Sequence, residues 1–166
     1  MQKQLTEELI AGLKAANVRF ISWVPDTWLG ATGIAASKDN SFSTVQATNE
    51  AEGLALCGGA WLAGERAALL MEGTGLLVSL HNIEYVCAYW GIPVLMIISY
   101  RGAIGDGLWW FSGLGERLEP ALKLWQIQYQ VIDDVKLVQP AIAAAVRSME
   151  NSKRPTALLI KKNVAS

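Results

Sequence analysis

Three stretches of this chain, Ala67-Ala68-Leu69-Leu70-Met71, Val94-Leu95-Met96-Ile97-Ile98 and Ala157-Leu158-Leu159-Ile160, are apolar at every position. A strand with one wet face alternates apolar and polar residues, so a continuous run means burial on both faces, as in a parallel sheet with helices on each side. Between the runs the apolar spacing becomes helical, as in Leu5, Leu9, Ile10, Leu13 and Ala16. The alternation predicts helices over 5–16, 28–36, 50–62, 75–88, 114–125 and 135–149, and strands over 18–24, 44–47, 67–71, 93–99, 129–132 and 155–161. Right-handed crossovers then give a single doubly wound α/β layer, a mostly parallel sheet with helices on both faces, forming one domain over residues 1–166. Gly102 to Gly115 reads as the one long irregular loop.

Composition excludes several functions. With Lys+Arg 14 against Asp+Glu 15 and only 17% charged residues, the chain has no electrostatic footprint for nucleic acid or an anionic membrane surface. Fifty-two percent hydrophobic residues and seven Trp suggest apolar surface covered by another chain. The most apolar segment, Tyr85 to Tyr100, is interrupted by Gly91-Ile92-Pro93 and is shorter than the roughly 20 residues of a membrane helix. No signal peptide is readable at the start, and Cys57 and Cys87 read as reduced core thiols, so a cytoplasmic protein is expected.

Ligands of open parallel sheets bind beyond the carboxyl ends of the strands, which directs attention to the residues there. Those residues are Pro25-Asp26-Thr27, Thr48-Asn49-Glu50-Ala51-Glu52, Glu72-Gly73-Thr74-Gly75 and Tyr100-Arg101-Gly102. Asn49 to Glu52 has capping-box spacing, and Glu50 at the first helical position is either a carboxylate favoured by the helix dipole or a functional acid. Asp26 is either a turn cap or a proton-transfer and substrate-positioning group. Arg101 could pair with an anionic substrate, pair with a partner chain, or sit solvated on the surface. His81, the only histidine, is a second-tier candidate.

The string from Thr48 to Ala63 resembles the segment that carries the cofactor-activating glutamate of thiamine diphosphate-dependent 2-oxo acid decarboxylases. Val24-Pro25-Asp26-Thr27, Met71-Glu72-Gly73-Thr74-Gly75-Leu76 and Tyr100-Arg101-Gly102 are similar, in order, to further turns of that family, and the sulfopyruvate and phosphonopyruvate decarboxylase group gives the closest pattern. The resemblance implies a pyrimidine-binding alpha subunit that releases CO₂ and an aldehyde from a 2-oxo acid. In it, Glu50 would hydrogen-bond the aminopyrimidine ring, while Gly73, Thr74, Gly75 and Leu76 line the cofactor. Asp26 would act in proton transfer, and Asp26 and Arg101 would meet the substrate. A diphosphate-binding beta subunit would hold Mg²⁺, giving α2β2 or a larger assembly with no metal ligand on this chain. A carboligase subunit, or a non-catalytic α/β binding or regulatory module, are the alternative readings.

The chain also departs from that pattern. Glu72-Gly73 stands where the family loop has Gln-Asn, and Trp109-Trp110-Phe111 stands in a loop that is polar in the sulfopyruvate and phosphonopyruvate enzymes. Three consecutive aromatics cannot all enter one core, so at least one is expected against a partner or over the site. Gly105-Asp106-Gly107 looks like a metal-binding triplet but has no downstream Asn pair at suitable spacing.

Overall fold

The continuous apolar runs divide residue by residue between two cores. In the computed structural model, which describes residues 2–103 and 106–165, six strands form one sheet. They are β1 (Val18–Trp23), β2 (Ser43–Gln46), β3 (Arg66–Glu72), β4 (Leu95–Ser99), β5 (Gln128–Ile132) and β6 (Thr156–Ile160). Ala68, Leu70, Leu95, Ile97, Leu158 and Ile160 face one core, and Ala67, Leu69, Met71, Met96, Ile98, Ala157 and Leu159 face the other. The side-chain period of two is therefore intact within stretches whose composition hides it.

The first core is closed by α1 (Gln2–Ala15), α2 (Gly30–Ser37), α6 (Val138–Ser152) and α7 (Lys162–Ala165). The second is closed by α3 (Glu50–Leu62), α4 (Gly73–Asn82) and α5 (Ser112–Leu124). Each fully buried Leu or Ile in these layers contributes about 1.5–3 kcal/mol of transfer free energy, which is why the sheet tolerates no solvated face at its centre.

All neighbouring strands run parallel, in the order β2-β1-β3-β4-β6-β5. The chain winds outward from β1 to β2 and then returns past it to β3. Beyond β1 and β3 the connections diverge, and this switch point is where open sheets of this kind make a crevice.

Three local features differ from the sequence expectation. The helix expected over 75–88 starts earlier, at Gly73, and passes after Asn82 into a π-helical segment, Ile83–Ala88. The Gly102 to Gly115 stretch is not irregular throughout: a 3₁₀ turn at Trp109–Phe111 leads into α5 at Ser112. Its glycines serve contact: Gly102 has φ +80° and packs so closely on Phe111 and Gly115 that neither Gly102 nor Gly115 has room for a β-carbon. The short α7 carries no periodicity long enough to read.

Candidate active site

Glu50 is the first residue of α3, and Asn49 before it is the cap, its side chain accepting the Glu52 N–H at 3.0 Å. Glu52 reaches back one residue further than a capping box requires, accepting the Thr48 N–H at 2.7 Å and the Thr48 hydroxyl at 2.5 Å. Those bonds, the hydroxyl foremost, lower the Glu52 carboxyl below its ordinary value. Glu52 is thus consumed by the cap and Glu50 is released from it. The Glu50 side chain lies across Gly75, where any β-carbon would overlap its Cγ, Cδ and Oε1 atoms. No hydrogen bond to the Glu50 carboxylate forms among the described residues, so it is half-buried at the crevice with its acceptors open.

Asp26 follows β1, at the switch point. One carboxylate oxygen accepts the Trp28 N–H at 2.9 Å and the other accepts the Ser99 hydroxyl in a short hydrogen bond. Ser99 ends β4 and is paired in register with Glu72, the end of β3. Asp26 therefore caps its own turn and is also fixed to the centre of the sheet edge.

Gly73, Thr74 and Gly75 form the first turn of α4 and border the crevice, with Thr74 exposed. Leu76 lies beneath them, fully buried in the second core, and supports the turn from below. The Thr74 hydroxyl donates to Glu72 at 3.0 Å. Burial raises the Glu72 carboxyl above its ordinary value; that hydrogen bond opposes the shift and the Asp26 and Glu50 charges reinforce it.

Arg101 is not a solvated surface arginine. It is 4% exposed, its guanidinium bonds Asp106 through Nε at 2.9 Å and one terminal nitrogen at 3.1 Å, and it lies 4.6 Å from the Trp28 ring and 4.1 Å from the Phe111 ring. Asp106 also accepts the Gly102 N–H at 2.7 Å. Burial works against the Asp106 charge, yet Arg101 and that N–H outweigh it and hold the carboxyl below its ordinary value. Asp106 is thus the counter-ion of Arg101; Gly105, the first residue of the metal-like triplet, lies outside the described residues. Among the described residues no group of three or more His, Cys, Asp or Glu side chains is placed to hold a metal ion.

The aromatic loop divides. Phe111 turns inward onto Arg101, while Trp109 and Trp110 remain 80% and 56% exposed, edge to face at 5.7 Å. His81 is exposed on α4, stacked on Tyr85 at 4.7 Å, away from the strand ends. Leu77, Val78 and Tyr85 on the same outer face are also exposed. Sequence reasoning missed Ser99 and Asp106 as site-building residues. A serine closing an otherwise apolar strand was the available signal for the first, and an Asp five residues beyond Arg101 in a glycine-rich loop for the second.

The chain is 32% identical to the sulfopyruvate decarboxylase subunit alpha of Methanocaldococcus jannaschii over 69% of its length and 68% of that protein. It belongs to the sulfopyruvate decarboxylase alpha-subunit family. A second member, the sulfopyruvate decarboxylase subunit alpha of Methanococcus maripaludis, is 28% identical across 93% of both chains, so family likeness extends over nearly the whole sheet. No protein-family model matches the chain. Among solved structures, a 2-oxoglutarate:ferredoxin oxidoreductase from Magnetococcus marinus aligns with TM-score 0.76 at 19% identity, covering 99% of this chain and 29% of that one. That likeness carries the α/β fold into a much larger protein. In the family frame, Glu50, Asp26 and the 73–76 turn share one strand edge, and no helix among the described residues is long and apolar enough to cross a membrane.

Proposed function

We propose that residues 1–166 form the pyrimidine-binding domain and alpha subunit of a thiamine diphosphate-dependent, non-oxidative decarboxylase of 2-oxo acids. The observation that carries this reading is Glu50: an acid at a helix start, seated on Gly75 at the switch point, its carboxylate unclaimed by the protein. The residues present fit the group. Gly75 gives up its side-chain space to Glu50, with the exposed Thr74 beside it, and the open Glu50 carboxylate can hold a proton at a ring nitrogen of an aminopyrimidine. When bound, the cofactor supplies the carbanion-stabilising chemistry of decarboxylation.

This chain's own residues bind and orient. Glu50 fixes the ring and its protonation state, a role that belongs to an acid and not to an amide. Asp26, held by Ser99 and the Trp28 N–H at the carboxyl ends of the strands, positions the substrate or moves a proton to it. Arg101, neutralised by Asp106, packs between Phe111 and Trp28 and so ties the turn after β4 to the turn after β1 and to the start of α5. The diphosphate and its Mg²⁺ belong to a partner beta subunit. The exposed Leu77, Val78 and Tyr85 on α4 and the π-helical segment supply apolar surface for it to cover.

The test is CO₂ release from sulfopyruvate and from uncharged 2-oxo acids by the chain with and without a co-expressed diphosphate-binding partner. Activity that requires both the partner and thiamine diphosphate supports the proposal. Robust turnover by the single chain would overturn the division of labour, and a product joined to a second carbonyl compound would favour carboligation.

A further inference from the structure

The α3 turn that carries Glu50 is tied to α4 at two levels. Gly75, Ser79 and Asn82 follow i, i+4, i+7 spacing on one face of α4, and that face meets α3. At its start Glu50 lies across Gly75. At its end the half-buried Asn82 donates through Nδ2 to the carbonyl of Ala51, the residue beside Glu50, at 2.6 Å. Between the two, Ser79 is fully buried with its hydroxyl unpartnered. Among the described residues, the Asn82 bond is therefore the only hydrogen bond that joins α3 to α4.

That bond completes neither helix. A helix leaves its first N–H groups open, whereas the carbonyls of its first turn are taken by N–H groups four residues on, so Ala51 needs no further donor. Nor does Asn82 cap the π-helical segment that begins at Ile83. The amide has one consistent orientation. The Ala51 carbonyl only accepts, which assigns the NH₂ group to it and leaves Oδ1 to face His81 Nδ1 at 3.2 Å, with that ring nitrogen carrying a proton. Directly after Asn82 the helix passes into π geometry, which is rare and concentrated at functional sites. What the bond fixes is the place of Ala51, and with it the backbone from which the Glu50 side chain projects. Building on the decarboxylase reading above, we propose that Asn82 is a positioning residue for Glu50, holding the first turn of α3 in register with Gly75 so that the carboxylate is presented to the aminopyrimidine in one geometry.

The experiment uses the complex of this chain with its diphosphate-binding partner in the presence of Mg²⁺. Thiamine diphosphate affinity is measured by isothermal titration calorimetry, and kcat and KM for sulfopyruvate by CO₂ release. The proteins are wild type, Asn82→Leu and Asn82→Asp, each alone and combined with Glu50→Gln. Leu keeps the size and loses the donor, and Asp keeps the shape but, when ionised, sets a negative charge against the Ala51 carbonyl. Both substitutions should lower kcat by about 10-fold or more and weaken thiamine diphosphate binding by about 5-fold, with KM for sulfopyruvate within about twofold of wild type. In the Glu50→Gln background, where the carboxylate is already gone, either one should change affinity and rate by less than about twofold. Wild-type kcat and affinity in an assembled variant overturn the proposal, as does a loss confined to KM. An undiminished loss on top of Glu50→Gln also overturns it, because Asn82 would then be a general fastening of the fold. If Asn82→Leu does not assemble, the isosteric Asn82→Asp decides by the same criteria. If the wild-type complex binds no thiamine diphosphate and releases no CO₂, the decarboxylase reading falls and takes this proposal with it.

Discussion

The Glu50 side chain occupies the space that a β-carbon on Gly75 would need, so the first turns of α3 and α4 meet through a carboxylate and a bare Cα. Gly75→Ala should push Glu50 out of place, with a fall in CO₂ release of about 10-fold or more and an overpacking cost of about 1–3 kcal/mol in thermal unfolding. In a Glu50→Ala background the same substitution should cost far less, because the clashing side chain is gone. Additive losses in that double-mutant cycle would show that the two residues do not act on each other.

Glu50→Gln keeps the shape of the residue and leaves the Asn49 cap intact. The variant should fold with an unchanged circular dichroism spectrum and lose turnover by a factor of about 10² or more, the loss lying in kcat. A near-wild-type rate would return Glu50 to the role of a charge that favours the helix start.

Arg101 and Asp106 are both almost fully buried, so Asp106→Ala leaves a guanidinium without its counter-charge and should cost about 3 kcal/mol or more in urea unfolding. The folded-state carboxyl is held below its ordinary value, so the pair's contribution is complete above about pH 4 and is lost as pH falls through the lowered value. Wild type should therefore lose stability in acid more steeply than Asp106→Ala. Parallel acid profiles for the two proteins would sink the assignment.

Trp109 and Trp110 present their rings to solvent while Phe111 packs inward. Replacing both tryptophans with Ser should weaken association with the partner if they form an interface, read by analytical ultracentrifugation. If they close over the site, KM should rise with assembly intact. A variant unchanged in both measurements would reduce the pair to a local plug.

Layering and strand identity were legible because they rest on composition within short windows. The three continuous runs announced a doubly covered sheet, and Asn49 with the small residues after it placed α3 at Glu50–Leu62. What escaped depends on residues distant in sequence. Ser99 reaches Asp26 and Arg66 bridges to Glu150, and no local pattern encodes either pair. The start of α5 was hidden because Gly113 and Gly115 suggest a loop, whereas Gly115 is small to admit the Gly102 backbone. Local spacing also cannot distinguish a helix that stays α from one that widens into a π turn at Ile83.

The last strand lies in the interior of the sheet, since Thr156–Ile160 is laid between β4 and β5, with Leu95 and Gln128 both paired to Thr156. During synthesis β5 therefore emerges with no neighbour to bond to and must wait for β6. Until then β4 is an open edge of unbroken apolar residues, a surface that invites wrong pairing. The sheet can close only after residue 160 has left the ribosome, so the β3 flank of the Arg101 turn can form during translation of this region while its β6 flank must wait for the last strand.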